Sequence, residues 1–235
     1  LEKRSCRIKI LPEPTLQKQM ARIILPSISV PTRAEFEKIL KKVAPFVSMI
    51  HVDAADGIFS PTKFLDPEAV KELLLADMDV FLHMMLQDPE SQLESWLALP
   101  QIKTAVFQIE PFVDSEINKI GEIVDNIHQA GRKAGVSLRL ETPADLIEPF
   151  ADKIDVVQFM AGEPGGYAAE YKTEVLQKIR AWHGKHPEIP VAIDIGVTPD
   201  HLPAMAEAGV SIFACGSYIK DSEDAGKAIE ELRNV

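Results

Sequence analysis

The feature that most constrains this chain is an eightfold alternation. A short apolar run is followed by a longer amphipathic segment, and the pair recurs from about residue 23 to the end. Ile23–Leu25 precedes Arg33–Val43, where Phe36, Leu40 and Val43 fall at helical spacing. Val47–Asp53 precedes Pro67–Leu75, with proline at the first helical position. Val80–Met84 precedes Pro89–Leu99, Thr104–Ile109 precedes Ser115–Ala130, and Gly135–Leu140 precedes Pro143–Phe150. Asp155–Met160 precedes Glu174–His183, Val191–Ile195 precedes Pro199–Ala208, and Ser211–Cys215 precedes Glu223–Arg233. Strands separated by helices pair in parallel. Eight such units predict an α/β fold, the (β/α)8 TIM barrel, which typically takes about 250 residues. A doubly wound sheet would want GxGxxG after its first strand. Here that strand runs into Ser27-Ile-Ser-Val-Pro31, with no glycine. Nothing between residues 21 and 235 reads as a linker, so 21–235 is expected to be one barrel domain. Residues 1–20 are expected to be an N-terminal extension.

Charge and hydropathy remove several classes of function. Lys plus Arg number 25 against 36 Asp plus Glu, a net charge of −11. Non-specific nucleic-acid binding needs clustered cations, so nucleic acid is not an expected partner. No apolar run reaches the length of a membrane span. Cys6 and Cys215 stand near opposite ends without a CxxC partner, which suits a reducing, cytoplasmic compartment. A small-molecule substrate remains the natural partner.

In a (β/α)8 barrel the chemistry sits at the C-terminal ends of the strands. Those ends carry Ser27, His51 with Asp53, His83, Gln108 with Glu110, Arg139 with Glu141, Met160, Asp194, and Gly216-Ser217. His51 and Asp53 are two apart on a strand and share a side. His83 and Asp194 come from other strands at similar height. Each alone is more simply a satisfied interior polar residue. Four together form a candidate site for one divalent metal ion, Zn, Fe, Mn or Co, because packing such groups in a barrel mouth without a cation is costly.

These residues carry a family resemblance. Pro26-Ser27-Ile28, His51-Val-Asp-Ala-Ala-Asp-Gly57 with Phe59 and Pro61, and His83-Met-Met85 with Asp88-Pro89 resemble the ribulose-phosphate 3-epimerase family. Ala134-Gly-Val136 with Thr142-Pro143, Met160 with Pro164-Gly165, Ala192-Ile-Asp194 and Ala214-Cys-Gly-Ser217 continue it in order. The resemblance implies a barrel of the ribulose-phosphate-binding type. It implies a metal held by His51, Asp53, His83 and Asp194, with Asp53 and Asp194 as the catalytic acid–base pair on opposite faces of C3. It implies substrate contacts from Ser27, Met85, Met160, Gly165, Gly196, Gly216 and Ser217. The activity implied is inversion of C3 of a ketose phosphate through an enediolate, with D-ribulose 5-phosphate and D-xylulose 5-phosphate as the default pair. The metal stabilises the enediolate as a Lewis acid. Two bases are needed because the proton leaves one face and returns to the other. The resemblance also implies a homo-oligomer.

The chain departs from the family pattern chiefly where phosphate is held. Ile195 replaces the first glycine of Asp-Gly-Gly after strand 7, and the Gly166-Tyr-Ala-Ala169 stretch lacks the family's paired glycines. Ala55 stands where a methionine is usual, and Gln108 where histidine is frequent. Arg139 is expected to form a rim salt bridge with Glu141 or Glu110; a replacement anion contact is its functional alternative. Glu170 is expected to be a solvated loop carboxylate. The alternatives to a pentulose-phosphate epimerase are a hexulose-phosphate or other ketose 3-epimerase, and a catalytically silent barrel that binds a metal or sugar phosphate. A decarboxylase or aldol-type barrel would want a strand-end lysine, and none is among the residues named above.

Overall fold

The computed structural model describes residues 22–165 and 169–235. The extension expected at residues 1–20, with Cys6, lies outside the described residues, as does Gly166. Eight strands close into a barrel in sequence order, each parallel to its neighbours, and β1 pairs with β8. They are β1 (Ile23–Ile28), β2 (Met49–Ala55), β3 (Asp79–Met85), β4 (Ile102–Gln108), β5 (Lys133–Leu138), β6 (Val156–Met160), β7 (Val191–Asp194) and β8 (Val210–Cys215). The fold is therefore a (β/α)8 barrel.

Local chemistry sets the helix boundaries. Thr32 caps α1 (Arg33–Val43) by accepting from the Glu35 N–H at 3.3 Å, and Phe36, Ile39, Leu40 and Val43 face inward. Asp66 caps α2 (Pro67–Lys71), which opens on proline. The outer ring continues with α3 (Glu90–Leu97), α4 (Lys119–Gln129), α5 (Val175–Lys185), α6 (Leu202–Ala208), a single turn α7 (Ser217–Lys220), and α8 (Ala225–Asn234) capped by Asp224. Gly209, at φ +110°, ends α6 in the left-handed region. None of these helices is long and apolar enough to cross a membrane.

The expected units recur, with three local differences. Ala144–Phe150 is a 3-10 helix because Pro149 lies inside it and cannot donate an intrahelical bond. β7 stops at Asp194, and Ile195 turns out of the strand with φ +78°. The turn α7 follows directly on Gly216 and has no counterpart in the sequence periodicity.

The main core lies between the barrel and its helices, with Trp96 and Trp182 among its largest buried side chains. A separate apolar plug fills the lower barrel interior: Leu25, Phe81, Val106, Val156 and Ala192. A Cβ on Gly135 would lie 2.4 Å from Val156 Cγ1 and 2.6 Å from Val106 Cγ1, so glycine is what lets those two branched residues meet there. Above the plug the interior turns polar. His51, His83, Gln108, Ser137 and Gln158 are all fully buried. The His51 ring stacks 5.5 Å from Phe81, on top of the plug.

Candidate functional site

Register places the site. β2 and β3 pair with Asp53 beside His83, and β6 and β7 pair with Met160 beside Asp194. Inward-facing positions alternate along each strand, so His51 and Asp53 rise one above the other on β2. One ligand atom from each of His51, Asp53, His83 and Asp194 lies within 4.8 Å of all the others. His83 Nδ1 is 2.9 Å from Asp53 Oδ1 and 3.9 Å from Asp194 Oδ2. His51 Nδ1 is 3.6 Å from Asp53 Oδ1.

Electrostatics separates the two carboxylates. Burial works to raise the Asp53 pKa, but the His51 and His83 rings and the Ser29 hydroxyl outweigh it, and the value falls to about 2. Asp194 is pushed up, first by burial and then by the charge of Asp53. Two acids with opposed shifts in one cavity are the pattern of an acid–base pair. The donor set also fits a divalent cation: two imidazole nitrogens and two carboxylate oxygens converge, and a cation between them would relieve the repulsion that raises Asp194.

A cavity of about 290 Å³ opens over this cluster. Its floor carries Asp53 and Asp194, and Ser27, Ser29 and Met85 line it beside them. Its far wall carries Gly165, Gly196, Gly216, Ser217 and Lys220. Of the residues expected to touch substrate, only Met160 is absent from the lining. It is fully buried, and its sulfur faces the Gln158 amide at 3.7 Å.

One expectation at the rim changes. Arg139 makes neither a salt bridge to Glu141 or Glu110 nor a contact with the cavity. Its guanidinium donates to the Phe59 carbonyl at 2.9 Å and sits 4.3 Å over the Phe59 ring, pinning the loop between β2 and α2. Its backbone N–H, not its side chain, meets Glu110 Oε1, at 2.7 Å. A lysine does reach a strand end, but from the side. Lys178 of α5 donates to the Arg139 carbonyl at 2.6 Å, and burial lowers its pKa to about 8. It does not line the cavity. Glu170 is exposed and pairs with Lys172.

Three residues that touch the cluster or line the cavity escape sequence reasoning. Ser29 lies just past β1, yet its hydroxyl donates to Asp53 Oδ2 and meets Ser27 Oγ at 3.0 Å. Gln158 shares the inward face of β6 with Met160, and that parity was the available signal. Lys220 enters the wall because α7 turns it back over the mouth.

Comparison with known proteins agrees with this geometry. Residues 23–220 match the model of the ribulose-phosphate 3-epimerase family. Ribulose-phosphate 3-epimerase of Schizosaccharomyces pombe is 28% identical over 216 residues, covering 90% of this chain and 92% of the relative. The Rhodobacter capsulatus enzyme of the same name is 31% identical over 223 residues, covering 89% and 93%. Among solved structures, 3-keto-L-gulonate-6-phosphate decarboxylase from Vibrio cholerae superposes with TM-score 0.69 at 13% identity, covering 92% of this chain and 96% of that one. 3-Hexulose-6-phosphate synthase from Salmonella typhimurium gives 0.68 at 14%, covering 91% and 97%. These two likenesses speak to the barrel alone, whereas the family match spans all eight strands and every residue of the metal-type cluster, so this chain belongs to the ribulose-phosphate 3-epimerase family and is an isomerase of that type.

Proposed function

We propose that this protein inverts C3 of a ketose phosphate, with D-ribulose 5-phosphate and D-xylulose 5-phosphate as the substrate pair, at a metal centre formed by His51, Asp53, His83 and Asp194. The observation that carries this is the placement of Asp53 and Asp194 on one cavity floor, with both imidazoles between them and the interior below. A divalent cation held there supplies charge stabilisation for the oxyanion that develops at C2. Everything else is assigned to the chain's own groups. One carboxylate takes the C3 proton from its face and the other returns a proton to the opposite face; the roles exchange for the reverse reaction. Before the cation binds, the two carboxylates already differ in proton affinity, Asp53 lowered and Asp194 raised. Ser27 and Ser29, hydrogen-bonded to Asp53 Oδ2, hold that oxygen toward the cavity. Met85 and the apolar rim residue Phe64 keep water from the planar intermediate. The phosphate lies along the wall of Gly196, Gly216, Ser217 and Lys220, where backbone N–H groups and one cation suit an anion.

A departure in that wall keeps a hexulose phosphate as the second substrate class. Ile195 has replaced a glycine beside it, so the grip on the anion differs from the family pattern. The test is incubation with a panel of ketose phosphates and free ketoses in D₂O, following deuterium at C3. Inversion with one deuterium gained at C3 is expected for ribulose 5-phosphate. Absence of both exchange and inversion with every ketose, in protein that carries one metal ion, would instead make this a silent metal-binding barrel.

A further inference from the structure

The interior polar layer holds more than the four cluster residues, and its hydrogen bonds determine one another in sequence. Glu110, just past β4, accepts from the Arg139 N–H at 2.7 Å and from the Thr142 hydroxyl at 2.6 Å, both on Oε1. Its other oxygen, Oε2, lies 2.8 Å from one end of the Gln108 carboxamide, and the Ser137 carbonyl lies 3.1 Å from the same end. Both neighbours only accept, so that end of Gln108 must be its NH₂. The carbonyl end then accepts from Ser137 Oγ at 3.1 Å and from His83 Nε2 at 3.0 Å. His83 therefore carries a proton on Nε2. Nδ1 is the atom 2.9 Å from Asp53 Oδ1 and donates to that carboxylate, so a cation bound at the cluster would take the place of the Nδ1 proton and leave the one on Nε2.

His51 repeats the arrangement from another strand. Its Nε2 lies 3.3 Å from Gln158 Oε1, and the Gln158 NH₂ faces the Met160 sulfur. Its Nδ1 faces the cluster, 3.1 Å from Ser27 Oγ. Both glutamines are fully buried. A buried carboxamide costs free energy unless its bonds are made. These are made to the two imidazoles that need a fixed tautomer.

We infer that Gln108 and Gln158 are positioning residues that hold both imidazoles as Nε2–H tautomers and present Nδ1 to the cation, with Glu110 locking the orientation of Gln108. The inference rests on the metal centre proposed above. The choice of amide over acid has a reason. A carboxylate would orient the ring equally well but would add negative charge to a centre that already holds two. A neutral acceptor sets the tautomer without raising Asp194 further.

The experiment has two arms. Nitrogen-15 imidazole NMR on the wild-type protein loaded with Zn²⁺ reads the tautomer directly. Both His51 and His83 should show the proton on Nε2. Co²⁺ affinity, by competition with a chelating dye, is then compared across variants. Gln108→Leu and Gln158→Leu should each bind about 10–100-fold more weakly. Gln158→Glu, which keeps the acceptor and adds a negative charge, should bind Co²⁺ at least as tightly as wild type, and Glu110→Gln, which lets the Gln108 carboxamide turn over, should weaken Co²⁺ binding by less than Gln108→Leu does. Either ring found with its proton on Nδ1, in protein that binds one Co²⁺ per chain, overturns this inference alone. So do leucine variants with unchanged affinity. Wild-type protein that binds no Co²⁺ overturns the metal centre and this inference together.

Discussion

The two sides of the barrel mouth are built differently. On the β2–β3 side, His51, Asp53 and His83 stand on strands whose register runs unbroken over seven residue pairs. Their positions follow from pleat and barrel closure. On the β7–β8 side the cavity wall is loop backbone: Ile195, Gly196, Gly216 and the short turn α7. Their positions follow from individual φ angles. The first side keeps all three cluster residues of the family motif and departs from it only at Ala55, whereas the second loses glycines that hold the anion. Strand-borne chemistry is fixed by the fold, while loop-borne recognition can change without disturbing it.

The largest effect should come from the floor shared by both sides. Asp53→Asn and Asp194→Asn should each lower kcat by at least ~10⁴-fold, since each removes one of two proton-transfer groups. Their stabilities should move in opposite directions in the metal-free protein. The folded pKa of Asp53 lies below its unfolded value, so its contribution is present above pH ~4 and is lost as pH falls toward about 2. At neutral pH, Asp53→Asn should therefore cost about 2 kcal/mol. The folded pKa of Asp194 lies above its unfolded value, and its contribution is lost as pH rises through that folded pKa. Asn at 194 cannot ionise, so this variant should melt a few degrees higher at pH 7, ~2–4 °C for each kcal/mol gained. Thermal melts of both variants beside wild type decide it. Equal and parallel losses of stability would mean that the two carboxylates do not have opposed environments.

Stripping the metal should come next in size. Dialysis against a chelator should abolish epimerisation and lower the melting temperature, since an ion bound only by the folded state stabilises it by mass action. Added Co²⁺, Mn²⁺ or Zn²⁺ should restore turnover. Full turnover in protein shown by elemental analysis to be metal-free would leave proton transfer to the side chains alone.

How much of this was legible in the sequence follows the same division. The barrel and the four cluster residues could be read because strand ends obey a period of two and active sites sit at one end of the barrel. Ile195 was read as strand because a β-branched residue after Val191-Ala-Ile-Asp194 continues the apolar run. At φ +78° it instead leaves the strand, with its N–H bonded to the neighbouring Asp194 Oδ1 at 2.8 Å, a local turn that hydrophobic periodicity does not mark. Ser29 was missed because it lies beyond the strand, where period-two reasoning stops. Arg139 was given the wrong partner because charge suggested a carboxylate, and the residue across the mouth turned out to be an aromatic ring with a free carbonyl.

Ile195 gives the middle prediction. A β-branched residue in the left-handed region carries roughly 1–3 kcal/mol of strain. Ile195→Gly would remove that strain but also the packing of its side chain over Gly162, where Cγ2 lies 3.3 Å from a glycine Cβ position. Ile195 is only partly buried, so its packing is worth roughly 1–2 kcal/mol, and the two effects nearly cancel. Stability should change by no more than ~1 kcal/mol. Recognition should change more, because glycine there lets the phosphate approach backbone N–H groups. One charge-assisted bond gained is worth roughly 1.5–3 kcal/mol, so KM for ribulose 5-phosphate should fall about tenfold with kcat unchanged. An unchanged KM would place the anion away from this turn.

The smallest effect should come from Arg139, and it sharpens the comparison from the opposite rim. Its contacts are a cation–π stack on Phe59 and one bond to the Phe59 carbonyl, each worth about 1 kcal/mol. Phe59 packs with Ala55, Phe64 and Met85 in a small cluster over the mouth, and the neighbouring Ile58 is 75% exposed. Arg139→Ala should therefore lower stability by about 1–2 kcal/mol and raise KM a fewfold by loosening Phe64 and Met85 against the substrate. A guanidinium that serves the loop gives no preference for phosphate. The ratio of kcat/KM for phosphorylated over free ketose should stay the same in Arg139→Ala as in wild type. A guanidinium that reached the anion would behave differently, and the ratio would collapse by ten- to a hundredfold, as expected for loss of one charge-assisted bond. Phe59→Leu separates the two cases again: it removes the stack, leaves the arginine in place, and should reproduce the KM effect of Arg139→Ala only if the clamp is what matters.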